Sequence, residues 1–430
     1  MNLLKHLSSG LVLFLLGSLL GGGAYAEFDK SRLAILHNTL DQYVSAGKLA
    51  GGVLYVSQQG KPVVHHAFGW QEVEQEIPMQ RRSLHRLASQ TKALTSVAVM
   101  ILQEEGKLLI SDPLSDYFPE WATTSVAVAE EDQAVGYRLE GTTRAITVRD
   151  LLTHTAGINY GWGIAQPVWQ DAGILGWYFA GDTEPLRDKV RRMAALPQAA
   201  QPGDAFVYGY ATDILGALVE NISGQTLGAF LSERIFQPLK MRDSYFFVPD
   251  SELPRLATVY GSSSDGGIER RPDPADVDPA AADAFYAGQG HYATSALSGS
   301  RSYSGGAGAV STAADYGRFL EMLRAGGTLD GVRILGRKSI ELMTTNHLPP
   351  DVQYRPGSGF GLGFNILLDP GQAGMMGSSG SYGWGGAYHS TYWVDPEEGL
   401  VVSYVTQLIP AVGVDDHAKI RALIYQALKN

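Results

Sequence analysis

The sequence contains no cysteine, which excludes disulfide bonds, thiolate nucleophiles, iron–sulfur clusters and cysteine-bound zinc. It also lacks clustered positive charge, because 33 Lys and Arg stand against 44 Asp and Glu, giving a net charge of −11. Basic residues occur at most in short pairs such as Arg81-Arg82, whereas nucleic-acid binding needs a continuous basic surface. The hydrophobic fraction of 45% and the charged fraction of 18% are typical of a globular protein with a substantial core.

No apolar run is long enough to span a bilayer, and the run at residues 11–20 has the flanks of a signal peptide. Lys5 supplies the positive charge before the run, and Ala24-Tyr25-Ala26 fits a cleavage site after it. We therefore expect a signal peptide over residues 1–26 and an exported mature domain over residues 27–430. That domain would be periplasmic or secreted, with no stable membrane anchor after cleavage.

The hydrophobic periodicity predicts a sheet with contributions from both ends of the mature chain. In chain order the patterns predict a helix at 28–46, strands at 52–56 and 62–68, strands at 387–394 and 400–407, and a helix at 415–428. Such elements favour an α+β fold, in which helices flank an antiparallel sheet built from the N- and C-terminal parts. A mostly helical region, roughly residues 110–240, is inserted between them. Residues 261–308, rich in Gly, Ser, Asp and Pro, predict a long loop.

Ser89 and Lys92 form the strongest candidate for chemistry. They open an almost wholly apolar segment, 93–102, which predicts a buried helix. The three-residue spacing places the hydroxyl and the amine on one face of that helix, close enough to hydrogen-bond. Burial penalises an ammonium ion and so favours an uncharged amine able to take the serine proton, while the helix N-terminus favours negative charge beside the serine. The same spacing recurs at Ser45 and Lys48, at the polar end of the first helix, where we expect exposed and inert side chains.

Two further segments are suited to catalysis. Tyr208 stands just before a predicted helix that starts near Ala211, a position from which a phenol can do acid–base work. In the second segment, glycines surround Trp384 and precede Ala387 at the start of a predicted strand. A substrate can approach such a backbone closely, and an unpaired N–H there can stabilise an oxyanion. Taken singly, a packed tyrosine and a glycine-rich turn explain these segments equally well.

Together the three segments resemble family VIII carboxylesterases, which belong to the serine beta-lactamase and penicillin-binding-protein superfamily. The resemblance extends over residues 30–428, and the motifs that carry it are Ser89-x-x-Lys92, Tyr208-Gly209-Tyr210 and Trp384-Gly385-Gly386. It implies a serine hydrolase that cleaves a small carboxylic ester through an acyl-enzyme.

The resemblance also assigns roles. Ser89 would be the acylated nucleophile, Lys92 its proton partner, and Tyr208 the group that carries protons to the leaving alcohol and from water. Which of Lys92 and Tyr208 is the primary base stays open. The N–H groups of Ser89 and Ala387 would form the oxyanion hole. The substrate-binding residues would be Trp384, Gly385, Gly386, Tyr210 and His389.

Departures from the wider superfamily favour an ester over a beta-lactam. Beta-lactamases and cell-wall peptidases have a lysine where this chain has Trp384, and commonly an asparagine where it has Tyr210. A neutral indole cannot replace a cation that binds a carboxylate, but it can line an apolar pocket. His389 stands where relatives tend to have glycine, and is either a strand residue that contacts the substrate or a surface or packed histidine. We interpret His154 as structural.

The sequence leaves two alternative functions open. A beta-lactamase or DD-peptidase is the nearest alternative, and a catalytically inactive binding or sensor module on the same fold is the alternative from another class. An α/β-hydrolase is disfavoured because the segment at Gly299-Ser300 lacks the closing glycine of the nucleophile turn. The ten histidines are scattered, so we expect no metal and no cofactor. The expected partner is a small ester substrate, with no nucleic acid.

Overall fold

A computed structural model describes residues 28–130, 136–174, 179, 184–272 and 302–429. The predicted signal peptide and most of the predicted loop at 261–308 lie outside these residues. The described start of that loop is a short hairpin between Tyr260 and Arg270, so the loop prediction was wrong there.

The helices are α1 (Lys30–Ser45), α2 (Thr91–Glu104), α3 (Val148–Leu152), α4 (Gln166–Asp171), α5 (Leu186–Met193), α6 (Ala211–Ser223), α7 (Leu227–Leu231), α8 (Ala313–Arg324), α9 (Arg337–Met343), α10 (Pro370–Ala373) and α11 (Asp416–Tyr425). The strands are β1 (Gly51–Gln58), β2 (Lys61–Glu72), β3 (Ile77–Pro78), β4 (His85–Arg86), β5 (Ser125–Ala129), β6 (Tyr137–Gly141), β7 (Tyr260–Ser262), β8 (Ile268–Arg270), β9 (Val310–Ser311), β10 (Thr328–Leu329), β11 (Val332–Arg333), β12 (Ser358–Phe360), β13 (Asn365–Leu367), β14 (Tyr382–Gly386), β15 (Ser390–Asp395) and β16 (Leu400–Thr406).

The main sheet joins the two ends of the chain, as the sequence predicts. Its strands lie in the order β12-β13-β14-β15-β16-β1-β2-β3, and neighbouring strands are antiparallel. The central pair, β16 and β1, aligns Val53 with Val405 and Leu54 with Tyr404. The predicted α+β architecture is therefore confirmed.

Alternation along β1 explains why this sheet is covered on both faces. Val53 and Tyr55 belong to the core cluster shared with α2 and α8, whereas Leu54 and Val56 belong to the cluster shared with α1 and α11. Successive strand residues point to opposite faces, so a strand that is apolar throughout needs a layer of helices on each side. The first layer contains α2, which places the candidate Ser89 and Lys92 beside the sheet.

The region inserted between the sheet strands holds helices α3 to α7, so the helical character predicted for it is confirmed. It also contains the hairpin β5–β6, which the sequence patterns did not predict. None of the described helices is by itself long and apolar enough to cross a membrane. One bent pair, Ala211–Ser223 with Leu227–Phe236, meets that requirement only in combination, across a bend of 81°.

Candidate active site

Ser89 lies in a single 3-10 turn, Ala88–Gln90, that runs directly into α2. Ala88 has a φ of +45°, which a residue with a side chain adopts at a cost of about 1–3 kcal/mol, and such strain concentrates at functional sites. The turn leaves Ser89 with 9% exposure, whereas every residue of α2 from Thr91 to Leu102 is buried. The hydroxyl is thus held at the edge of the core, where a small substrate can reach it.

The amine of Lys92 lies one turn along the same helix, as the spacing predicts. Its Nζ donates to Ser89 Oγ at 3.3 Å, to the Tyr160 hydroxyl at 3.1 Å and to the Gly306 carbonyl at 2.8 Å. The side chain is only 2% exposed. Three acceptors match the three protons of an ammonium group, so the site can hold the lysine as a proton donor as well as an acceptor.

A buried carboxylate, Asp213, stands behind this amine. Gly306 lies between the two groups, since a Cβ added there would meet Asp213 Oδ2 at 2.5 Å and Lys92 Nζ at 3.3 Å. Asp213 Oδ1 accepts hydrogen bonds from Ser304 Oγ and from the Gly306 N–H. Burial raises the pKa of Asp213, and the charge of Lys92 opposes that rise. A glycine is therefore required at 306 for the loop to fit between α2 and α6.

Tyr208 approaches Lys92 from the segment before α6. The Lys92 Nζ lies 4.7 Å from the centroid of the Tyr208 ring, and the Tyr208 hydroxyl accepts a hydrogen bond from Trp384 Nε1 at 3.2 Å. His154 packs against the same ring with centroids 4.8 Å apart. Burial lowers the pKa of His154 well below its usual value, and the charge of Lys92 lowers it further, so its imidazole is neutral. These contacts agree with the structural role predicted for His154.

The segment at Trp384 precedes a strand, β15, as the sequence predicts, but it also forms a strand itself, β14. Strand β13 begins at Asn365, opposite Gly383, so within the described residues the strand backbone from Trp384 to Gly386 pairs with β15 alone. This part of β14 is a local sheet edge. Glycine is well suited to an edge that another backbone or a ligand must approach closely.

The end of β14 also lies against the residue that leads into the nucleophile turn. A Cβ on Gly386 would come within 2.4 Å of the Leu87 carbonyl oxygen, so only glycine fits there. Ala387 follows in an exposed turn, and its N–H has no acceptor in the described part of the chain; the same holds for the N–H of Ser89. Two free donors on neighbouring segments are what an oxyanion hole requires.

Two of the predicted substrate-binding residues are placed away from the nucleophile. Tyr210 is fully buried and stacks on Phe179 with centroids 4.8 Å apart, while its edge meets Tyr160. It supports Tyr160 from behind, and in this structure no substrate can touch it.

His389 points toward α11 instead of toward Ser89. Its Nε2 hydrogen-bonds Asp416 Oδ1 at 2.6 Å, and its ring stacks on His417 with centroids 4.1 Å apart. His389 lies in the turn between β14 and β15, and the packed histidine is the expected role that fits this placement. Potential ligand atoms of His389, Asp416 and His417 lie within 4.8 Å of one another. Among the described residues, these three form the group that could hold a metal ion.

Sequence reasoning missed two residues beside the candidate lysine: Tyr160, which accepts a hydrogen bond from it, and Asp213, which interacts with its charge. Tyr160 reaches Lys92 because Gly209 lets the chain at Asn159 approach, since a Cβ on Gly209 would lie 2.4 Å from the Asn159 Cα. Burial raises the pKa of Tyr160 well above its usual value, and the neighbouring phenol of Tyr208 raises it further. The sequence did contain a signal for Asp213, which is an acidic residue directly before the apolar run from Ile214 to Val219 of α6.

Comparison with known proteins agrees with this geometry. The family model for beta-lactamase matches residues 36–426. Esterase EstB of Burkholderia gladioli is 31% identical over 392 residues, covering 89% of this chain and 92% of its own. Lovastatin esterase of Penicillium rubens is 28% identical, covering 88% of this chain and 94% of its own.

A solved structure shows the same arrangement over nearly the whole chain. EstCE1, described as a hydrolase with promiscuous acyltransferase activity, superimposes with a TM-score of 0.76 at 28% sequence identity. The match covers 92% of this chain and 98% of that chain. The helices, the sheet and the inserted region therefore belong to one common fold.

Proposed function

The chain belongs to the beta-lactamase family of serine hydrolases, and on that basis we propose that it hydrolyses carboxylic esters through an acyl-enzyme on Ser89. The observation that carries the proposal is the 3.3 Å contact between Lys92 Nζ and Ser89 Oγ beside the free edge of β14. Relatives named as esterases, EstB and lovastatin esterase, support ester as the substrate class.

Acylation starts when Ser89 Oγ bonds to the ester carbonyl carbon. The serine proton passes to Lys92, and the carbonyl oxygen takes up the negative charge. The free N–H groups of Ser89 and Ala387 donate hydrogen bonds to this oxyanion, which stabilises the tetrahedral intermediate. Collapse of the intermediate breaks the bond to the alcohol, which leaves with a proton supplied by Lys92 or Tyr208.

Deacylation repeats these steps with water as the nucleophile. Tyr208 lies over the Lys92 amine and beside Trp384, so one group of proton carriers serves both halves of the reaction. Water adds to the acyl carbon as it gives up a proton, and Ser89 leaves as the proton returns to its oxygen. The products are the alcohol and the carboxylic acid, and the serine is regenerated.

Trp384 supports an ester in preference to a beta-lactam. Its indole occupies the β14 edge where beta-lactamases of this superfamily have a lysine. The indole Nε1 donates a hydrogen bond to the Tyr208 hydroxyl. A ring that also contacts Phe360, with centroids 5.3 Å apart, offers an apolar wall to a substrate. Beta-lactam or D-alanyl peptide hydrolysis remains the alternative reaction, and a binding module without catalysis remains the alternative from another class.

Substrate preference tests the proposal directly. We expect kcat/KM for p-nitrophenyl butyrate to exceed that for nitrocefin by about two orders of magnitude or more. The reason is that Trp384 is neutral and cannot bind the carboxylate of the lactam as a lysine would. Initial rates measured spectrophotometrically on the purified protein give both constants. Faster hydrolysis of nitrocefin would favour the beta-lactamase alternative, and no turnover of either compound would favour a binding module.

We also propose that the protein is exported, as a periplasmic or secreted enzyme. The basic residue Lys5, the apolar run at 11–20 and the small residues Ala24 and Ala26 support a cleaved signal peptide. Intact-mass analysis of protein recovered from the periplasm or the medium is expected to place the N-terminus at Glu27. Recovery of the uncleaved chain from the cytoplasm alone would contradict this proposal.

A further inference from the structure

An arginine stands at the outer face of the Trp384 indole. Arg355 lies in the segment before β12, and its guanidinium carbon is 5.2 Å from the centroid of the Trp384 ring and 5.7 Å from that of Tyr354. The residue is exposed. Across the residues that the structure describes, its guanidinium makes no hydrogen bond and no ion pair.

Contact with an aromatic ring does not use up the N–H donors of a guanidinium for oxygen acceptors. An arginine that covers an aromatic ring uses the face of its planar group, while its N–H donors point outward in the plane. Those donors form a fork that matches the two oxygens of a carboxylate. Arg355 is therefore held in place by Trp384 and remains open to an anionic ligand.

Arg355 is connected to the candidate reaction centre through the rings of Trp384 and Tyr208. The rings of Trp384 and Tyr208 lie 5.5 Å apart, and the Tyr208 ring lies 4.7 Å from Lys92 Nζ. Two aromatic side chains thus separate the guanidinium from the amine that contacts Ser89. A substrate attacked by Ser89 and lying along Trp384 extends naturally toward Arg355.

Some exposed arginines of this chain pair with acidic residues, as Arg270 does with Glu72. Among the described residues others, such as Arg81, make no ion pair, so the lack of a carboxylate partner does not by itself mark a binding site. Arg355 differs from them in its place over the Trp384 ring, where its positive charge is available to an anionic group of the ligand.

We propose that Arg355 binds a carboxylate carried by the substrate, so that the preferred substrates are esters with a second, anionic carboxylate group. The inference rests on the proposed ester hydrolysis at Ser89 and specifies its substrate class. The carboxylate belongs either to the acyl part or to the alcohol part of the ester.

Two matched pairs of esters test the proposal and distinguish these two positions. Mono-p-nitrophenyl glutarate against p-nitrophenyl valerate places the charge on the acyl part, and 4-acetoxybenzoate against 4-acetoxybenzamide places it on the alcohol part. For one of the pairs, we expect Arg355→Gln to lower the ratio of kcat/KM, charged over neutral, by about tenfold, mainly through KM. Raising the salt concentration to 0.5 M is expected to lower the same ratio in the unaltered enzyme.

Arg333→Gln is the matched control, because it makes the same charge change at an exposed arginine that pairs with Glu104. It is expected to leave both ratios unchanged. If Arg355→Gln also leaves both ratios unchanged while the enzyme cleaves the neutral esters, carboxylate recognition is overturned and ester hydrolysis stands. If the unaltered enzyme cleaves none of the four esters, the proposed function fails and the recognition proposal fails with it.

Discussion

Replacement of Ser89 by alanine is expected to lower ester turnover by at least about 10³-fold, because the acyl-enzyme cannot form without the hydroxyl. The fold should survive, since the only hydrogen bond that the side chain makes in the described structure is the one from Lys92 Nζ. The loss of one such bond changes the free energy of unfolding by about 1 kcal/mol. Rates with p-nitrophenyl butyrate and a thermal melt measure the two effects separately.

The chain provides its own control for this variant. Ser45 and Lys48 have the same spacing, but Ser45 Oγ donates to the Gln42 carbonyl and Lys48 Nζ donates to the Gly266 carbonyl. Ser45→Ala is therefore expected to retain full activity. A fluorophosphonate should label the unaltered enzyme and Ser45→Ala at Ser89, and should leave Ser89→Ala unlabelled. Label at another serine, or activity retained in Ser89→Ala, would remove the proposed nucleophile.

Regular hydrophobic patterns account for the parts of the fold that could be predicted. Helix α1 and the hairpin β1–β2 appear within a few residues of their predicted bounds, because each has a clear period in the sequence. Strand β14 was not predicted, since Gly383, Gly385 and Gly386 have low strand propensity. Its pairing with β15, which aligns Trp384 with Tyr392, holds those glycines in a strand despite that propensity.

In the candidate site too, the local contacts could be predicted from the sequence and the long-range contacts could not. Ser89 lies in the turn that runs directly into the helix of Lys92, so their spacing alone predicted the contact. Tyr160 and Asp213 lie beside Lys92 but come from other segments, and Arg355 contacts Trp384 from a segment outside β14. The places of Tyr160 and Asp213 depend on close packing at Gly209 and Gly306, which no periodic pattern in the sequence predicts.

Replacement of Lys92 by methionine is expected to lower turnover by about 10³-fold or more, because the serine then has no amine to take its proton. Methionine keeps most of the side-chain volume, so the packing of α2 is preserved. Lys48→Met, which removes an amine bonded only to a surface carbonyl, should retain activity. Activity above a tenth of the original in Lys92→Met would show that another group is the proton acceptor.

The same variant should also reveal the electrostatic link between Lys92 and Asp213. Burial already raises the pKa of Asp213, and removing the opposing charge of Lys92 raises it further. A carboxyl whose pKa is raised in the folded state stabilises the fold less as pH rises, so Lys92→Met should be destabilised more at pH 8 than at pH 5. We expect a loss of up to about 3 kcal/mol at pH 8, measured by urea unfolding.

Asp213→Asn, combined with Lys92→Met, separates the two consequences of losing the amine. The amide keeps an acceptor for Ser304 and Gly306 but carries no charge, so the double variant should regain most of the stability at pH 8. Its activity should stay as low as that of Lys92→Met, since the proton acceptor for Ser89 is still missing. Recovery of activity together with stability would mean that the lysine acts only by compensating a buried carboxylate, and that its part in proton transfer is absent.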